Sequence, residues 1–505
     1  MAAQTRLWLL PAALALSLSS FALLWAQGFH LVDDAYISFR YAQNLAAGHG
    51  LTWNIGQPVE GYTNLLWVVL LTPFAALAGG LVWPSIVLGW GFALGALFFC
   101  GRLAQGAYPG EHAVAALAAL LLALNPSFAY WATSGMETAL FTFLVCGAIL
   151  ALQRRRLFWA ALALNAAYLT RPEGALVAAL LLLGYLLFEP QPWLTKLKQV
   201  VAIGASLSVV IALHVWIRMG YYGYPLPNTF YAKVILGKTS ALRGLSHLWA
   251  FALAGGLLLP WGLIYLRERS PAGRLLRQGY LLLGGYLIYL ATIGGDLPSW
   301  YRFYLPLLPV PLIGLARCLT RLARGRPARL RGALLASALA ALGVLFFSQS
   351  EVKQLPYVRD SQRISKFLVE NFFRRIPPGS YVAAFAVGRL AYETPLRILD
   401  GWGLNDVHIA HLQRAPSHKF AHDKQDWRYL LSRYPDYIYA FKLGGFVVPI
   451  PGYQPCWPTR IFPKVAVYRR IVRLPQPTVG MPHGLTRDPK PPPVCDGRPR
   501  GVTSS

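Results

Sequence analysis

Residues Leu7 to Ala26 read LWLLPAALALSLSSFALLWA, twenty in a row without a charge. About twenty apolar residues of helix cross the hydrocarbon core of a bilayer. Comparable runs recur as far as Phe347. Charged residues make up only 13% of the 505, against about 25% in soluble proteins. The expected fold class is therefore an α-helical polytopic membrane protein. Only Arg6 precedes the first run and no small-residue cleavage site follows it, so it reads as a retained span rather than a cleavable signal.

Basic clusters orient the spans, because loops rich in Lys and Arg stay cytoplasmic. Arg154-Arg155-Arg156, Lys196 with Lys198, Arg267 to Arg277 and Arg321 to Arg331 are such clusters. Working outward from them gives about eleven spans with the N-terminus inside and the chain beyond Phe347 outside. Gly61 to Gly80 breaks the parity unless it lies in the outer leaflet as an interfacial helix. Residues 28–83 and 218–245 become external loops. The membrane portion is expected over 1–349, an extracytoplasmic α/β domain over 350–475, and an irregular Pro/Arg-rich tail over 476–505. Within that domain Glu351 to Phe373 has helical spacing, while Ser380 to Gly388, Tyr437 to Phe441 and Lys464 to Arg469 read as strands. A strand running into Gly388 resembles a nucleotide-binding turn, but no GxGxxG accompanies it.

The net charge is +27, of which residues 350–505 carry +12. A basic extramembrane region suits anionic headgroups or an acidic polymer; an external tail excludes nucleic acid. Cys100, Cys146 and Cys318 read as small core residues. Cys456 and Cys495 are placed for a disulfide in an oxidising compartment.

The same topology puts Asp33, Asp34, Arg40, Asn54, Glu60, Glu137, Arg171, Glu173, Asn228, Lys233, Asp296 and Arg302 on the external side, most of them at span ends. Charge at a membrane boundary is costly, which makes it a functional-site candidate. An amphiphilic substrate fits there, with its tail in the bilayer and its head among the charges. Asp33 or Asp34 offers a general base, since low dielectric and the neighbouring acid both raise a carboxylate pKa. Equally, the pair with Glu60 or Asp296 offers oxygen ligands to a divalent cation. Arg171, Lys233 and Arg302, with Arg40 behind them, are the phosphate-binding candidates; a bland alternative pairs Arg40 with Glu60. Tyr36, Tyr62, Trp67, Tyr231 and Trp300 offer rings to a sugar. The pocket for sugar or acceptor is assigned to Tyr36, Asn54, Glu60, Tyr62, Glu137, Glu173, Asn228, Tyr231 and Asp296.

Several of these residues lie in motifs. Asp33-Asp34-Ala35-Tyr36-Ile37-Ser38-Phe39-Arg40-Tyr41, with Asn44, Gly48, Gly50-Leu51, Asn54 and Val59-Glu60-Gly61-Tyr62-Thr63, resembles the first external loop of bacterial GT-C glycosyltransferases. The resemblance extends through Ser134-Gly135-Met136-Glu137-Thr138, Leu169-Thr170-Arg171-Pro172-Glu173-Gly174, Pro225 to Lys233, Gly294-Gly295-Asp296 with Arg302-Phe303, and Asp400 to Asp406. It is strongest to the group containing the mycobacterial terminal β-arabinofuranosyltransferases. It implies a polyprenyl-phosphate-sugar donor, a glycan, lipid or protein acceptor, transfer on the outer face of the inner membrane, and an essential acid at the first of the pair, Asp33, with Asp34 second. The competing expectations are a transporter or flippase of lipid-linked sugars and a non-catalytic envelope scaffold. A transporter calls for charges or broken helices at the bilayer midplane, whereas these charges lie at one boundary.

Overall fold

The computed structural model describes residues 2–471 apart from 27, 30, 78–79, 236, 254–255, 296–300, 328, 331–349, 414–423, 442–448, 457 and 460–464. Asp296, Trp300, the last expected span and the 476–505 tail lie outside the described residues, as does Cys495. Cys456 is disulfide-bonded, and Cys100, Cys146 and Cys318 are buried with free thiols.

Among the described residues, fourteen α-helices are set out up to Ala323. Those that build the site and its scaffold are α1 (Ala2–Ala26), α2 (Asp33–Ala46), α3 (Leu65–Leu77), α4 (Val82–Ala107), α5 (His112–Ala123), α6 (Pro126–Ala132), α7 (Thr138–Gln153), α8 (Leu157–Thr170), α9 (Gly174–Phe188), α10 (Trp193–Tyr222), α11 (Asn228–Lys233), α12 (Lys238–Leu253), α13 (Pro271–Ile293) and α14 (Pro309–Ala323). Among the described residues three segments are long and apolar enough to cross a membrane alone: Leu9–Ala26, Val82–Ala107 and Trp193–Tyr222. Several of the others are apolar helices of ten to seventeen residues.

Three expected spans are interrupted. Ala113 to Trp131 is two helices bent by 67°. The cause is local: Asn125 accepts from the Phe128 N–H at 3.0 Å and Pro126 takes the first helical position, so a new helix starts where the old one ends. Leu248 to Leu266 divides between the end of α12 and a 3-10 segment, Gly256–Tyr265. Phe303 to Ala316 divides between a 3-10 turn, Arg302–Leu307, and α14. The segment expected to lie in the outer leaflet forms α3, thirteen residues long, packed on α2.

Beyond the helix Ser350–Asn371 lies a five-stranded sheet: β1 (Tyr381–Ala384), β2 (Arg397–Asp400), β3 (Tyr437–Phe441), β4 (Tyr453–Pro455) and β5 (Val465–Arg470), in the order β2-β1-β3-β5-β4. β1 runs parallel to both β2 and β3; β5 is antiparallel to β3 and β4. Strand period two divides the side chains between two cores. Val382, Ile398, Tyr437, Tyr439, Val465 and Val467 join the core that is continuous with the helical bundle. Ala383, Leu399, Ile438, Ala466 and Tyr468 face a second cluster with Ile409 and Leu430. The sheet is thus packed onto the bundle by one of its faces.

Asp400 ends β2 and is fully buried. Its carboxylate accepts the Trp402 N–H at 2.9 Å, and the Asn405 N–H and Nδ2 at 3.0 and 2.9 Å. Burial outweighs these bonds and pushes its pKa up to about 6. An unfolded Asp titrates near 3.9. The folded state therefore binds more protons between those values, and the stability this group contributes is full below the lower one and lost as pH rises through the upper. The melting temperature of the wild type in detergent should fall from pH 5 to pH 7 relative to Asp400→Asn. Parallel pH slopes in the two proteins would count against this account.

Candidate active site

The adjacent acids open α2, and a helix turns about 100° per residue. The two carboxylates therefore look in different directions. Asp33 faces the sheet: Oδ2 accepts the Gly388 N–H at 2.8 Å and Oδ1 the Arg389 N–H at 3.1 Å. These are the first two amides of the short helix Gly388–Glu393 that follows β1. A helix N-terminus favours an anion, and here the anion belongs to the chain itself. Gly388 is obligatory, because a Cβ there would collide with the Asp33 carbonyl oxygen. One turn on, the Tyr36 ring lies under the Arg389 guanidinium at 4.4 Å, and Tyr36 and Phe39 pack on Tyr392. Burial pushes the Asp33 pKa up, against the two N–H bonds that pull it down; Asp34 adds a smaller upward push.

Asp34 lies one turn before Ser38 on the same face of α2. It makes no side-chain hydrogen bond or ion pair among the described residues. Ser38 exchanges hydrogen bonds with the Asn64 amide, whose Nδ2 donates to Glu137 Oε2 at 2.9 Å. Glu137 Oε1 holds Arg171 Nη1 at 2.8 Å, and Glu173 Oε1 holds Arg171 Nη2 at 3.2 Å. The Arg171 guanidinium also lies 4.3 Å from the centre of the Phe303 ring, which Arg302 contacts at 5.2 Å while also facing Trp131. Glu137 is the residue before α7, Arg171 the residue after α8 and Glu173 the residue before α9. Two hairpins thus return these charges to one end of the bundle. Glu173 Oε2 is buried with no hydrogen-bond partner among the described residues.

The remaining candidates hold the first loop to the sheet. Asn54 Oδ1 accepts the Ile398 N–H and its Nδ2 donates to the Ile398 carbonyl, both at 3.0 Å. The side-chain amide so closes the outer edge of β2, where an exposed strand would otherwise pair elsewhere. Tyr41 Oη donates to the Val59 carbonyl at 2.6 Å, accepts the Gly61 N–H, and lies 3.0 Å from Asn405 Oδ1. Tyr62 packs on Tyr41 and pairs its hydroxyl with Tyr222. The Glu60 carbonyl accepts the Asn228 N–H at 3.0 Å. The Asn228 amide donates to the carbonyls of Gly403 and Leu404, both at 2.9 Å. Tyr231 stacks on His411 at 4.3 Å.

Some expectations change. Arg40 does not pair with Glu60: its Nε donates to the Trp53 carbonyl at 3.2 Å. Glu60 is taken instead by Arg218, through Nε to Oε2 at 2.5 Å and Nη2 to Oε1 at 3.1 Å, both side chains buried. Burial raises the Glu60 pKa while Arg218 lowers it. Arg218 was not among the sequence candidates; its signal was an arginine near the end of a long apolar helix, on the side of the bundle that carries an unmatched glutamate. Arg171 has two carboxylate partners rather than an open face. Of the four cations expected to meet phosphate, Lys233 alone has no hydrogen bond, ion pair or ring contact among the described residues. It ends α11 with its side chain half-buried. No three His, Cys, Asp or Glu side chains gather as a metal site among the described residues. Asp33 is bonded to amides and Glu60 to a guanidinium, while Asp296, the other acid of that expectation, lies outside the described residues.

The chain is similar to several known proteins. A family model described as a domain of unknown function (DUF8728) matches residues 350–475. The chain is 31% identical over 226 residues to a terminal β-(1→2)-arabinofuranosyltransferase of Mycobacterium tuberculosis, covering 41% of this chain and 35% of that one. It is 28% identical over 364 residues to the protein of the same name from Corynebacterium glutamicum, covering 60% and 50%. The chain thus spans between a third and a half of the length of these relatives. The crystal structure of ArnT from Cupriavidus metallidurans bound to undecaprenyl phosphate superposes with a TM-score of 0.58 at 12% identity, over 92% of this chain and 98% of that one. Its apo form gives 0.56, also at 12% identity, over 90% and 97%. In sequence the chain is similar to terminal arabinofuranosyltransferases and in fold to ArnT.

Proposed function

We propose that this chain is a membrane glycosyltransferase that moves a sugar from a polyprenyl-phosphate donor to an envelope glycan, lipid or protein acceptor at the outer face of the inner membrane. One observation carries the reading. In a fold shared with ArnT, Asp34 stands uncommitted one turn from the buried Ser38–Asn64–Glu137–Arg171 chain. A carboxylate with open lone pairs at a membrane boundary can accept a proton. In the proposed step the acceptor hydroxyl gives its proton to Asp34 as its oxygen attacks the anomeric carbon. The bond from that carbon to the phosphate oxygen breaks, and polyprenyl phosphate leaves with the electron pair. Lys233 supplies positive charge to the departing phosphate as a point charge. Asp33 keeps α2 in place through its amide bonds.

In the same reading the chain crosses the membrane about eleven times with its N-terminus in the cytoplasm. Residues 350–475 then form an α/β domain outside it. The relatives' printed names point to an arabinofuranosyl group as the first sugar to try.

The test is mass spectrometry of envelope glycans and lipid-linked sugars from a deletion strain. Loss of one terminal sugar together with a rise in its lipid-linked donor is expected; profiles that match the wild type would overturn the proposal. In the purified protein, Lys233→Ala should raise the donor KM by about tenfold, the scale of one charge-assisted hydrogen bond, and leave the melting temperature unchanged. An unaltered KM removes Lys233 from the phosphate site.

A further inference from the structure

A cavity with a polar lining lies far from the acids. It encloses about 130 Å³, and its walls include Arg102, Gln153, Arg154, Glu189, Arg274 and Gln278. These residues come from the ends of α4, α7 and α9 and the start of α13. α7 runs from Glu137 at the candidate active site to Gln153 at this cavity, about 24 Å along its sixteen residues. The cavity is therefore at the opposite end of the bundle, which the proposed orientation puts at the cytoplasmic leaflet.

Its charges do not balance. Glu189 is the acid in the lining, and it is held by Arg155 from outside at 2.8 Å. None of Arg102, Arg154 and Arg274 has a carboxylate partner among the described residues; Arg102 has a glutamine contact at 3.5 Å. Burial, and then repulsion from Arg102 and Arg156, lowers the Arg154 pKa. A structural explanation is that the arginines answer the carbonyl ends of three helices. Each helix end carries about half a charge, and the α13 N-terminus contributes the opposite sign. That leaves roughly two positive charges unmet in a half-enclosed space. Gln153 lines the same space and offers an amide.

The surface around the cavity is that of a lipid-facing rim. Phe158 and Trp159 open α8 just past Arg154–Arg156 and are 71% and 56% exposed; Trp193 opens α10 and is 54% exposed. Exposed aromatic residues beside a basic cluster mark a membrane–water boundary, and basic pockets between spans take anionic head groups.

We propose that this cavity binds the phosphate of an anionic phospholipid head group, with Arg102, Arg154 and Arg274 around it and the acyl chains along the outer faces of the neighbouring helices. The volume admits a phosphate with a few waters, each of which occupies about 30 Å³ in the liquid. The site is separate from the proposed reaction and is read by binding alone.

The experiment uses the full-length protein, delipidated in neutral detergent and examined by native mass spectrometry. Phosphatidylglycerol, phosphatidylcholine and inorganic phosphate are titrated separately. The proteins are the wild type, the triple variant Arg102→Gln, Arg154→Gln, Arg274→Gln, and the control Arg156→Gln. Each arginine near an anionic surface is worth about a fivefold change in affinity. The triple variant should therefore bind phosphatidylglycerol on the order of a hundredfold more weakly than the wild type or the control. Phosphatidylcholine should bind all three proteins alike, which also verifies that the triple variant is folded. Wild-type binding of inorganic phosphate as tight as that of phosphatidylglycerol, and lost in the triple variant, keeps the phosphate site but makes a soluble phosphate its source. Equal phosphatidylglycerol binding by the wild type and the triple variant overturns the proposal, as does a wild type that does not distinguish the two lipids.

Discussion

Asp34→Asn should cost activity by about a hundredfold to ten-thousandfold, the range of one general base, while leaving amide exchange and melting temperature at wild-type values. The reason is that Asp34 holds nothing else: no side-chain bond within the described residues depends on its charge. Asp33→Asn should behave differently. Its carboxylate receives two backbone N–H groups at the start of Gly388–Glu393. An asparagine presents one oxygen and one NH2 to them, so one amide loses its acceptor, and the helix end loses its anion. Each unpaired group costs about 1–3 kcal/mol. Hydrogen exchange at residues 388–393 should quicken, and part of the activity should go with it. The division of roles fails if Asp34→Asn retains full activity, or if both variants alter exchange at 388–393 to the same extent.

Breaking the Glu60–Arg218 pair should be the most destabilising single change at the site. Both side chains are buried, and two N–H···O bonds join them. Removing one partner strands a charge in low dielectric, which costs about 3–5 kcal/mol. Glu60→Ala and Arg218→Ala should both lower abundance in the membrane and the melting temperature in detergent. The double change Glu60→Leu with Arg218→Met should cost less than either single change, because no lone charge remains. Activity should fall as well, since the Glu60 carbonyl fixes Asn228 and with it the start of α11. A double variant less stable than both singles would show that the pair is held by something other than its own charge balance.

The parts of this molecule that could be read from the sequence are those with local causes. Tyr437–Phe441 forms β3 over the bounds that its composition gives, and the strand at Val465–Arg470 runs one residue past the expected end, while the expected first residue, Lys464, lies outside the described residues. The strand expected over Ser380 to Gly388 stops at Ala384. Gly388 already belongs to the helix that receives Asp33, a contact 355 residues away in sequence that no local pattern contains. The bend at Asn125-Pro126 also has a local cause, since an Asn before Pro can end one helix and start the next, but the apolar pattern reads as a single span through it. At the site, the residue types were legible and the pairings were not. Glu137, Arg171 and Glu173 meet because two hairpins bring their helix ends together. Arg218 reaches Glu60 across 158 residues. Asn54 looks like a sugar-binding amide in the sequence, but the structure uses both of its polar atoms as a substitute for a missing neighbour strand.

The spacing within the acid pair carries a further consequence. Because Asp33 and Asp34 are consecutive on one rigid turn, the bearing of the second is set by the anchorage of the first. A rotation of α2 that releases Gly388 and Arg389 re-aims the neighbouring carboxylate through the same angle. Inserting a single residue between them would turn one away from its partner by a further 100° or so, and no repacking of the loop could restore both. Under the proposed mechanism the first acid acts as the locating pin for the second, which would account for a chain keeping two where one proton acceptor would do.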